Sequence, residues 1–192
     1  MDAIEAIKSR RSIRKYKPDP VDDKTLESVL EAARLAPSWA NTQCWRFIVV
    51  RDNNTKARLA DTIQPNPDLG ANPSVNAVRN APVIIVACAV KGESGGFHGK
   101  TATDKGEYWF MFDVALAMEN IALAATALGL GTVNVGLFDT QKVRELLEVP
   151  DEYHIVEFMP LGYPEKQPGP RPRKELSEIV FYEKFGCKQK FA

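Results

Sequence analysis

The chain has 192 residues, 44% hydrophobic and 26% charged, a globular balance that favours one domain with a sizeable core. Its 25 Lys and Arg offset its 25 Asp and Glu, so no net field draws it to nucleic acid or to an anionic membrane surface, and any anion site must be local. Three scattered cysteines (Cys44, Cys88, Cys187), no Cys-x-x-Cys pair and only His98 and His154 as histidines argue against a zinc site, and fit a reducing, cytoplasmic setting. The N-terminus starts acidic without a long apolar run, unlike a signal peptide, and stretches such as Pro82 to Val90 are too short to span a bilayer.

Asp2 with Glu5 resembles a capping box, and predicts a short first helix that ends near Ser9 or Arg10. Directly behind it comes Arg10-Arg11-Ser12-Ile13-Arg14-Lys15-Tyr16. Guanidiniums present planar forks of donors that match phosphate oxygens two at a time, and Ser12 adds a neutral donor. Composition alone leaves a phosphate site and a solvated basic stretch both open. Asp22 can cap a second helix with Leu26, Val29, Leu30 and Ala33 as its apolar stripe, and Pro37 stops it. Ser38 to Gln43 reads as a polar loop, Arg46 to Val50 as a strand, and Asn53 as the cap of a helix through Asp61.

Gln64 to Pro73 reads as a loop, and Pro82 to Val90 as a central strand covered on both faces. Lys91 to Gly106, with five glycines, reads as a mobile surface loop. Gly99-Lys100-Thr101 invites a P-loop reading, but the first glycine would have to be residue 94, which is Ser94. Glu107 to Leu128 is the longest helical segment and is apolar nearly all round, as for a central helix or a subunit interface. Asp113 and Glu119 within it need partners if buried. Gly129 and Gly131 end it. A short strand Thr132–Val135, a helix capped by Asp139 through Leu147, and a strand over Ile155–Pro164 follow. Glu165 to Lys174 holds three prolines and ends in Arg171-Pro172-Arg173-Lys174, a second basic knot on an arm that proline makes cheaper to order. The order of elements predicts an α+β domain with a central sheet between helices.

Four local patterns occur in one order: Arg10-Arg11-Ser12-Ile13-Arg14; Ala36-Pro37-Ser38-x-x-Asn41-x-Gln43-x-Trp45; Gly129-Leu130-Gly131-Thr132 with Gly136-x-Phe138-Asp139; and Leu161-Gly162-Tyr163-Pro164 leading to Arg171-x-Arg173. Together they resemble the flavin-dependent nitroreductase family over nearly the whole chain. The resemblance implies one nitroreductase-like domain over residues 1–192, a three-layer α/β/α sandwich with a central mixed sheet. It implies an intertwined homodimer in which a C-terminal arm, residues 165–192, wraps the partner. It further implies FMN in a cleft at the dimer interface. Arg10, Arg11, Ser12 and Arg14, joined by Arg171 and Arg173, resemble the ribityl-phosphate site. Pro37, Ser38, Trp39, Asn41 and Gln43 resemble the segment lining the isoalloxazine, in part from the partner subunit. Val135 and Gly136 resemble the backbone beside flavin N5 and O4.

These residue types suit that chemistry. Guanidiniums neutralise a dianionic phosphate, amides match a ring edge that both donates and accepts, and a glycine permits close backbone approach. The cofactor carries the hydride chemistry, so no catalytic side chain is required by it. The expected activity is electron transfer from NADH or NADPH through FMN to a small acceptor such as a nitroaromatic or quinone. Dehalogenation or oxidative ring fragmentation at the same flavin site, and a phosphate- or phosphopeptide-binding module, remain as alternatives. Ser38 and Asn41 also suit a simple turn, and Cys44, where many relatives carry proline, reads as a small buried hydrophobe or as a thiol near the flavin.

Overall fold

The computed structural model describes residues 1–68 and 70–188. Helix α1 (Ala3–Ser9) starts at the expected capping box: Asp2 accepts from the Glu5 N–H at 2.8 Å and Glu5 accepts from the Asp2 N–H at 3.0 Å. Helix α2 (Asp23–Arg34) is capped by Asp22 and buries Leu26, Val29 and Ala33. Strand β1 (Trp45–Val50) leads to α3 (Asn53–Asp61), whose cap is Asp52 and not Asn53, because the Asp52 carboxylate accepts from the Thr55 N–H at 2.7 Å. A further short helix, α4 (Ser74–Asn80), has no side-chain cap and too few residues to show a period. The central strand β2 (Val83–Val90) follows.

Where a mobile loop was expected, strands β3 (Gly96–Phe97) and β4 (Lys100–Thr101) form a small hairpin. It precedes the long helix α5 (Trp109–Ala127), then β5 (Gly131–Thr132), α6 (Thr140–Leu147) capped by Asp139, β6 (Tyr153–Gly162) and a last turn α7 (Leu176–Ile179).

The sheet runs β1-β2-β6-β5, antiparallel throughout, with Phe47 opposite Ala87, Val86 opposite Phe158 and Thr132 opposite Leu161. The resemblance implied a mixed sheet, but the described strands are joined only by antiparallel ladders, and the parallel pairing of Ser12 with Thr132 is an isolated bridge. β2 explains the three layers by its period of two. Val83, Ile85, Ala87 and Ala89 pack under α2 and α5, whereas Ile84, Val86 and Cys88 pack under α3, α4 and α6. Fully burying each of Ile84, Ile85, Met118 and Phe158 contributes about 1.5–3 kcal/mol. α5 is long and apolar enough to cross a membrane by length and composition alone. Here the fold accounts for its apolar character: Val114, Ala117, Met118, Ile121 and Ala125 form the roof of the sheet.

Candidate functional site

The two basic knots, separated by some 160 residues of chain, meet in space. Residues 12–17 run along the end of the sheet beside residues 163–165. The Ile13 N–H donates to Thr132 O at 2.8 Å, the Lys17 N–H to Tyr163 O at 2.9 Å, and the Glu165 N–H to Lys15 O at 3.1 Å. The Gln167 side chain then donates to Ser9 O at 3.0 Å, fastening the arm to the last turn of α1. The proline-rich run 168–173 is thereby laid against residues 10–14, closing a cleft of about 690 Å3. Arg10, Arg11, Ser12, Arg14, Arg171 and Arg173 all line it, together with Lys8 and Pro168 to Pro170.

Among the described residues, six cations and no carboxylate line this cleft. Arg10 is partly neutralised by Glu119 on α5, Nε to Oε1 at 3.5 Å, which also supplies the partner that Glu119 needed. Arg11 spends its Nη1 on the carbonyls of Lys8 and Arg10, both at 2.8 Å, and so caps the C-terminus of α1, leaving its Nε and Nη2 protons. Arg14, Arg171, Arg173 and Ser12 are exposed. Among the described residues they make no side-chain hydrogen bond and no ion pair. Like charges gathered in this way repel unless an anion lies among them. The cleft therefore fits a phosphate on its own chemistry.

Pro37, Ser38, Trp39, Asn41 and Gln43 do not line that cleft; they form a separate, strained loop. Ala40, Asn41 and Gln43 hold φ of 44°, 59° and 50°, left-handed values that cost non-glycine residues about 1 kcal/mol or more each. Three contacts hold it. The Gln43 N–H donates to Ser38 Oγ at 2.9 Å, the Trp39 indole donates to Gly96 O at 3.0 Å, and the Trp39 N–H donates to Asp113 at 3.0 Å. Asp113, buried on α5, also accepts from the Ser94 hydroxyl at 2.6 Å and the Cys44 thiol at 3.7 Å. Its partners are thus within the chain, on both flanking loops. Burial, with Asp113 nearby, pushes the Cys44 thiol up to about 12, so it is an inert buried group that orders the loop. Trp39 also packs edge-on to Trp109 and beside Phe97 of the hairpin, which is why the glycine-rich segment is ordered against this loop.

Val135 and Gly136 differ from each other. The Val135 N–H is consumed by Phe158 O at 2.9 Å, so it offers no donor to a ligand. Gly136 makes no hydrogen bond among the described residues, and a Cβ built on it meets nothing within 4 Å. Packing in this chain therefore does not require glycine there, and space remains for a ring to approach. Glu157 on β6 was not singled out in the sequence; it lies half-buried, and burial pushes its carboxyl up to about 7.

Residues 7–163 match the family profile described as the nitroreductase family. The chain belongs to the nitroreductase family. It is 33% identical over 177 residues to a putative NADH dehydrogenase/NAD(P)H nitroreductase of Methanothermobacter thermautotrophicus, covering 89% of this chain and 82% of that protein. It is 31% identical over 192 residues to a 5,6-dimethylbenzimidazole synthase of Rhodospirillum rubrum, covering 93% and 88%. Among solved structures, a nitroreductase family protein from Clostridium novyi superposes with a TM-score of 0.75 at 34% identity, covering 98% and 97% of the two chains. An FMN-dependent nitroreductase from Clostridium difficile does so with 0.75 at 28% identity, covering 95% and 99%.

Within this nitroreductase-family chain, Lys8, Asp113 and Ser94 are the site residues that sequence reasoning missed as such. Lys8 carried a signal, since the last turn of α1 points its cations toward the basic segment. Ser94 carried none, because only the tertiary fold brings it to α5.

Proposed function

We propose that the protein is an FMN-dependent oxidoreductase that takes electrons from NAD(P)H and passes them to a small acceptor such as a nitroaromatic or quinone in two half-reactions. The observation that carries this reading is the cleft itself: Arg14, Arg171 and Arg173, none with a carboxylate partner among the described residues, converge with Ser12 around about 690 Å3. Those groups would hold the flavin phosphate by charge-assisted hydrogen bonds. When bound, the flavin supplies hydride acceptance and electron delivery. The strained loop Ser38–Gln43 would present Asn41 and Gln43 to a ring edge, and the Gly136 N–H would favour negative charge beside it.

The loop and the cleft are separate within one chain, which supports a homodimer in which the loop of one subunit serves the cleft of the other. Exposed Ile4 and Ile7 on α1, and Met111 and Phe112 on α5, give that dimer an apolar surface to bury. Purified protein is expected to be yellow, to release FMN on denaturation, to bleach anaerobically with NADH or NADPH, and to scatter light as twice the 21.3 kDa chain. A colourless protein that cannot be reconstituted with FMN, or a stable monomer, refutes the corresponding part. The similarity to a 5,6-dimethylbenzimidazole synthase favours one second reading, the oxidative ring fragmentation at the flavin site named above as an alternative. Repeated NAD(P)H turnover with intact FMN excludes it.

A further inference from the structure

Glu157 sits in the middle of the sheet, opposite Ala87 on β2. It is half-buried, and among the described residues its carboxyl has neither a hydrogen bond nor an ion pair. A buried carboxylate without a partner is costly, and an apolar residue would serve the sheet better. Among the described residues nothing offsets the cost: α2, which shares this face, spends Arg34 on Glu31 and Asp23 on Arg51, and its Lys24 and Glu27 are exposed. β2 carries no charged side chain, and neither does the segment 131–137. α5, which packs on this face, carries two carboxylates, and both are occupied: Asp113 with Trp39, Ser94 and Cys44, and Glu119 with Arg10. On β6 itself His154 is stacked on Phe110.

The register gives the position a meaning. Gly131 pairs with Gly162, Thr132 with Leu161 and Val135 with Phe158. The same antiparallel register, carried one residue further, sets Gly136 opposite Glu157. Residues opposite one another in an antiparallel pair project to the same face, about 5 Å apart. Gly136 projects nothing, and the space its Cβ would take is open. An unpartnered carboxylate thus lies across the register from that open space and from a Gly136 N–H that makes no hydrogen bond among the described residues.

We propose that Glu157 is the catalytic acid that protonates the acceptor as it is reduced. The inference rests on the flavin reading above. For a quinone, one hydrogen and two electrons arrive as hydride from the NAD(P)H-reduced cofactor, which is oxidised. The second hydrogen arrives as the Glu157 proton: an O–H bond forms at the quinone oxygen as the Glu157 O–H bond breaks. The carboxylate left behind regains a proton from water. Burial supports the assignment, because it keeps the carboxyl protonated up to about pH 7, where a general acid near the working pH is most effective.

The test uses the FMN-loaded protein and Glu157→Gln. Enzyme reduced anaerobically with NADH is mixed with p-benzoquinone from pH 5.5 to 8.5. Wild type is expected to lose rate as pH rises through about 7, whereas the variant is about 100-fold slower below that pH and shows no such break. Reduction by NADH and the FMN dissociation constant, read by flavin fluorescence, stay within about threefold, since Gln keeps the shape and leaves the phosphate cleft untouched. An unchanged quinone rate with an unchanged pH profile overturns the proposal. Equal loss in both half-reactions with weakened FMN binding also overturns it, and assigns Glu157 a structural role. A wild-type protein that binds no FMN instead overturns the flavin reading, and this inference with it.

Discussion

Gly131→Ala tests how the glycine motif after α5 supports the basic segment. A Cβ at Gly131 would lie 2.3 Å from Ile13 Cγ1, 2.8 Å from its Cβ and 3.1 Å from its Cγ2. Ile13 cannot step aside. It is 3% exposed and β-branched, its N–H is bound to Thr132 O at 2.8 Å, and its carbonyl accepts the Tyr16 hydroxyl at 2.7 Å. Overpacking of this kind costs about 1–3 kcal/mol, against which the lower chain entropy of alanine returns under about 1 kcal/mol. For a domain of this length, a loss of that size lowers Tm by roughly 2–10 °C. Ile13→Ala alone opens a cavity and costs about 2–5 kcal/mol, but in the double variant the new methyl occupies part of that space. The two effects should therefore fall short of additivity by about 1–2 kcal/mol. Urea melts of the apo-protein at one fixed protein concentration measure all four corners. FMN titration of the single variant adds a second reading, since Ile13 lies between Ser12 and Arg14, and affinity should drop several-fold. If Gly131→Ala melts like wild type, or the double variant is additive within about 0.5 kcal/mol, the steric argument fails.

Removing one phosphate donor tests the cleft: Arg173→Ala or Arg14→Ala should each raise the FMN dissociation constant about 10- to 100-fold, most strongly at low salt, and unchanged occupancy in both would falsify the phosphate assignment. Asp113→Ala leaves the Trp39 N–H and the Ser94 hydroxyl without their acceptor while the strained backbone at Ala40, Asn41 and Gln43 loses its anchor. A loss of about 2–4 kcal/mol in thermal or urea melts is expected, with altered Trp fluorescence, and a neutral result would show that the loop stands without the carboxylate. Glu157 makes stability fall with pH. Its folded carboxyl is raised from 4.5 to about 7, so the folded state holds a proton that the unfolded chain gives up. Nothing is lost below about pH 4.5, and up to about 3 kcal/mol is lost as pH climbs to 7 and above. Glu157→Gln should abolish that slope in apo-protein melts, and equal slopes in the two proteins would count against an unpartnered buried carboxylate.

Much of this was legible in the chain because it is local. The Asp2–Glu5 box, the Asp22 and Asp139 caps and the continuous apolar run of β2 each follow from chemistry within a few residues, and each appears where expected. The cap at α3 was misplaced by one residue because Asp52 and Asn53 are both good caps, and only backbone geometry chooses between them. Helix α4 lacked a side-chain cap and was too short to show a period. The hairpin β3–β4 was hidden because a glycine-rich composition reads as mobility, whereas Trp39 and Trp109 give it a surface to pack on.

The ingredients of the site are all present in the chain as written: two basic knots, a polar loop after Pro37 and a glycine before Phe138-Asp139. Their company comes from the folded chain. It brought Arg171 and Arg173 to Arg14 through the pairing of residues 163–165 with 15–17, turned Arg11 partly to the end of α1, and took the Val135 N–H for the sheet. It also set Glu157 opposite Gly136 and gave Asp113 three neutral donors. The physical reason is range. Caps and periods act between neighbours in sequence, whereas convergence of charges and the burial of a carboxylate depend on which distant strands happen to pair.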